Sequence, residues 1–330
     1  MKQIKKKIQY IENLNHYVKN NDVLVVAVSG GVDSIVLLHL LMEFNKSQSI
    51  QLIVAHVNHN LRAKNSDNDE KLVKEYAKHF KLKFESTKIK WPSKRFWSGQ
   101  NNNKNESNLE AKCREKRYEF LRQIKKRYKA KYIITGHHLN DNLETFLINF
   151  VRGASLNGLS SMQINDNDIL RPLLNSTKEE IFNYAKKHQL KWREDVSNQN
   201  VKFARNRLRL KVVTELKKIN PNLEQTFSRN LQNLNEINNF LEQSAKSWRA
   251  QYSHGRNLEL KAFRLLNIAL QKTVLVQIYK DINVSTYKLS ASHLDQILKI
   301  INDGRGNVKK EFGDKNFIKI EKNIISFLLY

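Results

Sequence analysis

A chain of 330 residues, 40% of them hydrophobic, is long enough for two domains with packed cores. A formal net charge of +26 makes polyanions the expected partners, nucleic acid foremost. One cysteine, Cys113, excludes a disulfide within the chain and a cysteine zinc site, and suits a reducing compartment.

Residues 1–210 carry +18 and residues 211–330 carry +8, with +11 concentrated in 81–130. A/T-rich codon usage accounts for abundant Lys, Asn and Ile and for only 3 prolines, but not for the arginine cluster "RNRLR" at 205–209. Residues 1–20 are basic without an apolar core and do not read as a signal peptide. No run approaches the ~18 apolar residues that cross a bilayer, so a soluble cytoplasmic protein without a membrane partner is expected.

In chain order, short Val- and Ile-rich runs predict strands at 23–29, 50–58, 81–89, 132–136 and 168–174. Helical periodicity predicts helices at about 33–45, 66–80, 107–129, 140–152 and 177–189. Continuous apolar strands imply burial on both faces. The expected fold is therefore α/β, a Rossmann-like parallel sheet covered by helices, with ligands beyond the carboxyl ends of the strands. Residues 90–106, "KWPSKRFWSGQNNNKNE", interrupt the pattern as a long loop, either functional or a tolerated insertion.

After residue 200 the alternation stops. A basic helix is expected at 200–218 and a longer one at 222–248, where Leu223, Phe227, Leu231, Leu234, Ile237 and Leu241 recur at helical spacing. Shorter helices follow near 261–280 and 291–302, and the tail "GNVKKEFGDKNFIKIEKNIISFLLY" reads as two or three short strands. The expected organisation is a catalytic domain over 1–210 and a mainly helical domain with a short β tail over 211–330.

The most specific signal is "VLVVAVSGGVDSIVLLHLL" at 23–41. A strand runs into Ser29-Gly30-Gly31 and a helix begins near Asp33. Two glycines let main-chain N–H groups face one point, and the helix N-terminus adds partial positive charge, so the bend can cradle an anion. Neither G-x-x-x-x-G-K-[ST] nor G-x-G-x-x-G is present. The string S-G-G-x-D-S after a strand resembles the signature of the PP-loop, or N-type ATP pyrophosphatase, family. That resemblance implies cleavage of ATP between the α and β phosphates and activation of a carbonyl oxygen as an adenylate.

Five further stretches narrow it: "HVNHNLR" at 56–62, "ESNLEAKCREKRYEFL" at 106–121, "TGHHLNDNLETFLINFVRGASLNGLSSM" at 135–162, "RPLL" at 171–174 and "WREDVSNQNVKFARNRLR" at 192–209. In order and spacing they resemble the bacterial tRNA(Ile)-lysidine synthetase family over about residues 20–220, and loosely beyond. The family converts the wobble cytidine of the CAU-anticodon isoleucine tRNA to lysidine with ATP and free L-lysine, which changes codon reading from AUG to AUA. The implied chemistry has two steps. The base's carbon-2 oxygen attacks the α-phosphate and releases pyrophosphate; the lysine ε-amine then displaces AMP.

The resemblance assigns roles by position. Ser29, Gly30, Gly31, Val32, Asp33 and Ser34 match the ATP loop, with His56, Val57, Gly136 and His137 also lining the nucleotide. Asp33 is the expected Mg²⁺ ligand, although an acid at a helix N-terminus also complements the dipole. Arg114 is the expected cation on the α-phosphate; an ion pair with Glu110, four residues earlier, is the structural alternative. Asp141 and Glu144, three apart on one helix, are the expected lysine-binding acids. The family usually has Asp-Asp where this chain has Asn140-Asp141. Arg205, Asn206 and Arg209 match its RN-x-x-R and are the expected tRNA contacts. Cys113 shares a stripe with Leu109 and Phe120 and reads as core.

Three alternatives stand beside this. A PP-loop tRNA thiolase ordinarily needs two or three cysteines, and this chain has one. A catalytically inactive tRNA-binding protein would explain Asn140 but not the intact SGGVDS. A zinc set of His137, His138 and Asp141 lacks a further ligand nearby. A homodimer is possible on family grounds.

Overall fold

A computed structural model describes residues 14–60, 64–90, 103–160, 162–194, 204–282, 291–303, 308–311 and 316–329. Most of the 90–106 loop and the start of the 200–218 helix lie outside the described residues. The chain divides into two compact units, Met1–Thr145 with Met162–Ser228, and Phe146–Ser161 with Arg229–Tyr330.

The first unit is built on a sheet of six strands: β1 (Val23–Ala27), β2 (Gln51–Asn58), β3 (Lys83–Lys88), β4 (Tyr132–Ile134), β5 (Asn165–Asp166) and β6 (Ile169–Leu170). Their order is β3-β2-β1-β4-β6-β5. All pair in parallel except β5 with β6. Helices α1 (Val32–Asn45), α2 (Lys64–His79), α3 (Asn103–Arg127), α4 (Leu139–Val151), α5 (Leu156–Leu159) and α6 (Lys178–Lys187) intervene along the chain, α5 and the end of α4 belonging to the second unit. Leu24, Val26, Leu37, Leu38, Leu41, Phe44 and Val54 form one core, and Val25, Ile53, Leu121, Ile124 and Ile133 form another. Consecutive residues of β1 thus point into opposite cores, which is why that strand is apolar throughout.

Strand order reverses at β1, which has β2 on one side and β4 on the other. Such a reversal leaves a crevice at the carboxyl ends of the two strands. The Ser-Gly-Gly bend follows β1, and Gly136-His137-His138 follows β4.

The expected strand at 168–174 shrinks to Ile169–Leu170. Pro172 has no N–H for a ladder, and the chain turns instead, with Leu174 N–H on Arg171 O and Ser176 N–H on Leu173 O. Buried Arg171 ties this turn to the β5 hairpin, donating to Gln163 O at 2.8 Å and to Asp166 Oδ2 at 3.2 Å. The basic helix is also less regular than its pattern. It runs as α7 (Ala204–Arg207), a π-helical turn at Leu208–Val212, and α8 (Val213–Ile219). A π turn admits an extra residue and often marks a functional site.

A long helix, α9 (Leu223–Tyr252), contributes its first turn to this unit. In the second unit the helix expected near 261–280 is two, α10 (Leu260–Arg264) and α11 (Ile268–Ile282), because Asn267 Oδ1 caps the second by accepting from Leu270 N at 2.9 Å. With α12 (Ala291–Asn302) they cover an antiparallel sheet of β7 (Ser253–His254), β8 (Asn257–Glu259), β9 (Val308–Glu311), β10 (Asn316–Glu321) and β11 (Ile324–Leu329), in the order β7-β8-β11-β10-β9. Phe263, Leu275, Tyr279, Ile301, Ile320 and Ile325 fill its core. No helix among the described residues is long and apolar enough to cross a membrane.

In the first unit, Leu38 on α1 is fully buried in the core that includes Leu24, Val26 and Val54 of the parallel sheet. Leu38→Ala should cost about 2–5 kcal/mol of stability, read as a fall in the urea midpoint with an unchanged slope.

Candidate nucleotide and substrate site

Gly30 has φ +95°, a conformation that L side chains rarely adopt. Ser34, one turn into α1, then organises the bend. Its Oγ accepts from Ser29 N at 3.1 Å and Gly30 N at 3.2 Å, and donates to Gly31 O at 2.9 Å. Two of the amides expected to meet a phosphate are therefore turned onto Ser34. The donors left for an anion are the first N–H groups of α1, at Val32 and Asp33. Those groups have no intrahelical partner, and Gly31 supplies no side-chain cap. An uncapped helix start is an anion site in its own right.

From the other strand, Gly136 passes so close to α1 that a Cβ there would lie 3.2 Å from Asp33 C and O. Opposite, Gly30 O accepts from Arg193 N at 3.0 Å, and Arg193 Nε holds Asp69 Oδ1 at 2.8 Å. The bend is thus fixed from both sides. His56, at the end of β2, is buried; its Nδ1 donates to Val28 O at 2.8 Å, while its Nε2 is buried without a hydrogen-bond partner. Val57 follows it, half-buried.

Asp33 does not stand alone. Lys178 Nζ reaches both its oxygens, at 2.7 and 2.8 Å. His138 Nδ1 accepts from Asp141 N at 3.4 Å, which leaves the ring proton on Nε2, 3.4 Å from Asp141 Oδ2 and 3.7 Å from Asp33 Oδ1. Glu144 is 2% exposed and takes three guanidinium bonds: Arg205 Nε at 2.9 Å, Arg209 Nε at 2.6 Å and Arg209 Nη2 at 3.0 Å. Arg205 Nη2 also donates to Asp141 O and Thr145 Oγ1. Asp141 accepts His138 N–H on Oδ2 and has Arg209 at 3.5 Å from Oδ1.

The expected nucleotide, lysine and tRNA residues therefore meet in one cluster, and two expected tRNA cations are paired with an expected lysine acid. Asn206 lies between Arg205 and Arg209, partly buried. Arg114 stacks over Tyr118 with 5.0 Å to the ring centroid, and its charge acts on His137. Cys113 is a buried free thiol. Among the described residues no three His, Cys, Asp or Glu side chains form a metal set, so the zinc alternative has no geometry behind it. Sequence reasoning missed Lys178, Asp69 and Arg193. The capping box Thr177–Glu180 announces the helix that carries Lys178, but nothing local announces its partner.

Burial pushes the His137 imidazole down to about 3; Asp141 pulls the other way, while Arg171, Arg114 and Arg205 add to the drop. Burial also lowers His56. For Asp141, burial raises the carboxyl, but His138, Arg205 and His137 outweigh it and hold it below its ordinary value.

The PP-loop domain family matches residues 1–216. The tRNA(Ile)-lysidine synthase of Bacillus cereus (strain ATCC 10987 / NRS 248) is 30% identical over 330 residues, covering 94% of this chain and 67% of its own. That of Wolbachia pipientis wMel is 41% identical over 190 residues, covering 56% of this chain and 42% of its own. The chain thus spans about two thirds of the length of the first of these relatives. Among solved structures, the U34-tRNA thiolase NcsA of Methanococcus maripaludis superposes with a TM-score of 0.58 at 19% identity, over 71% of this chain and 80% of that one, a likeness of fold.

The histidines set a pH dependence. The unfolded chain takes up these protons near the ordinary 6.5, whereas folded His137 does so only near 3. Stability should therefore be full above pH 6.5 and fall as pH drops below it, with Asp141 adding a further loss below its ordinary 3.8. His137→Gln should flatten the slope of urea-derived stability between pH 6.5 and 4; an unchanged slope would show that His137 titrates normally.

Proposed function

Because the chain belongs to the PP-loop family, in the company of the bacterial tRNA(Ile)-lysidine synthases, we propose that it ligates free L-lysine to carbon 2 of the wobble cytidine in CAU-anticodon tRNA(Ile). The single observation that carries the reading is the Gly30–Ser34 bend at the sheet's reversal point, with Asp33, Asp141 and Glu144 gathered beside it.

In the first step the cytidine carbon-2 oxygen attacks the α-phosphate of ATP and pyrophosphate leaves. The Val32 and Asp33 amides at the start of α1 take phosphate oxygens, and Arg114 meets the charge that builds on the α-phosphate. The donor set suits Mg²⁺, which is held by one or two carboxylates together with substrate phosphates; Asp33 offers such a carboxylate at the mouth of the bend. When bound there, the ion would neutralise charge on the departing pyrophosphate. Lys178, already at Asp33, supplies a second cation at the same place.

In the second step the lysine ε-nitrogen forms a bond to carbon 2, the oxygen departs with AMP, and the amine loses a proton. The nucleophile must be neutral at that moment. His137, with its low proton affinity, adds no positive charge to the site at neutral pH. Both oxygens of Glu144 are taken by arginines, so Asp141 is the acid with capacity left for the lysine's amino group, and Glu144 acts by fixing the arginines. Arg205, Asn206 and Arg209 would then reach tRNA from the outer side of that pair. Lys88, Lys90, Lys112 and Lys116 line an open cavity of about 640 Å³ between β3 and α3 together with Glu115 and Glu119, with Lys88 paired to Asp67 and Lys116 to Glu119. Residues 211–330 contribute to tRNA binding in this reading.

The deciding experiment is incorporation of labelled lysine into an unmodified CAU-anticodon tRNA(Ile) transcript, with AMP and pyrophosphate formed one for one. Loss of label transfer with wild-type protein would end the proposal. Asp33→Ala and Arg114→Ala should lower turnover at least about 100-fold, as the loss of a transition-state charge contact does, while tRNA affinity stays within a fewfold. Asp141→Ala should raise the KM for lysine more than about tenfold, the scale of one charge-assisted hydrogen bond, and leave the KM for ATP little changed; equal effects on both would assign this acid to the nucleotide.

A further inference from the structure

The fold uses the side-chain amide of Asn140 in two directions. Asn140 Nδ2 donates to Glu224 Oε1 at 2.8 Å, and Asn140 Oδ1 accepts from Lys178 N at 2.8 Å. The orientation of the amide follows from its neighbours, since a carboxylate can only accept and a main-chain N–H can only donate. Glu224, in the first turn of α9, is 5% exposed and is also paired with Lys217.

An aspartate at position 140 would have no proton to give Glu224. Two carboxylates would face each other away from water, a costly arrangement. Asn140 and Glu224 are therefore a matched pair. On the other side of the amide, Lys178 is the first residue of α6. Its N–H is one of the orphan donors of that helix, and the Thr177–Glu180 capping box does not use it. The Lys178 side chain is 44% exposed, so side-chain packing alone does not hold its ammonium on Asp33. What is fixed is the main chain from which it springs.

We propose that Asn140, backed by Glu224, is a positioning residue that sets the Lys178 ammonium over Asp33 at the nucleotide loop. The proposal rests on the reading of that loop as an ATP site.

The test uses the full chain and a non-hydrolysable α,β-methylene analogue of ATP with Mg²⁺, its affinity read by calorimetry alongside the melting temperature. Lys178→Ala should weaken the analogue about tenfold, and Asn140→Ala about fivefold, the size of a lost contact to a placed charge. In a Lys178→Ala background, Asn140→Ala should have no further effect, because Asn140 acts through that ammonium. Asn140→Asp should weaken the analogue as well, and adding Glu224→Gln should restore it to within about twofold by giving the new carboxylate a donor.

An Asn140→Ala effect that persists undiminished without the Lys178 ammonium would overturn the proposal. So would an Asn140→Asp variant that binds normally, or one that Glu224→Gln fails to rescue at equal melting temperature. Should Asn140→Asp not fold, the alanine cycle decides alone. Label transfer from lysine to tRNA judges the function separately. A chain that shows the cycle and makes no lysidine keeps this inference and loses the reaction.

Discussion

Three carboxylates, Asp33, Asp141 and Glu144, meet at the end of β4 and the start of α1, and like charges so placed repel unless cations separate them. Each has its own: Lys178 on Asp33, Arg205 and Arg209 on Glu144, and Arg209 again near Asp141. His138 lies between the first two acids with its Nε2 proton between them. Asp141 stays ionised despite its burial because of these neighbours. The rest of the site depends on this pairing. Glu144 is the buried one of the three, and removing both its arginines would leave an unpaired carboxylate away from water, far more costly than losing a surface ion pair. Arg205 and Arg209, four residues apart, reach the same acid from one helical face, and the π turn at Leu208–Val212 starts between them.

The pairing is possible only because the backbone comes close enough. Gly136 lets the end of β4 touch the main chain of Asp33, and Gly30 turns the bend through a positive φ. Ser34 then fastens the turn from within, consuming two amides that a simple reading of the motif assigns to a phosphate. What is offered to an anion is instead the uncapped start of α1. The serine of the motif is thus a structural clasp, and the helix dipole and the first amides of α1 form the cradle.

Much of this was legible in the sequence. The apolar β1 run, the Ser-Gly-Gly bend and the Asp-Ser helix start are local, and local patterns report local structure. The sheet and its covering helices followed from the same alternation. The pairs that make the site work did not. Lys178 and Asp33 lie 145 residues apart, and Arg205 and Glu144 lie 61 apart. No periodicity in either segment refers to the other, so the arginines could be read only as outward-facing cations. The strand expected at 168–174 failed for a nearer reason: apolar content in "ILRPLL" outweighed a proline that cannot join a ladder. The β7–β8 hairpin was hidden differently. Its strands are two and three residues long, and its one cue, Gly255 at φ +63°, sits between polar residues that show no alternation.

Asp33 and Glu144 already hold cations on both oxygens, so a charged ligand that uses either must exchange partners with them, whereas Asp141 keeps capacity to spare. If Asp33 is to hold a metal, Lys178 must turn from the carboxylate to the triphosphate that arrives with it. If lysine is to dock at Asp141, its ammonium enters beside Arg209 and its carboxylate meets the arginines. In each case a cation and an anion enter together, so the cluster's net charge changes little. Exchange of this kind costs less desolvation than delivering a bare charge into a buried site. It also favours order: a substrate of one sign alone finds its place taken, whereas a zwitterion or a metal–nucleotide complex carries its own replacement for the pair it breaks. The cations on Asp33 and Glu144 thus stand where charged ligands of either sign would have to replace them.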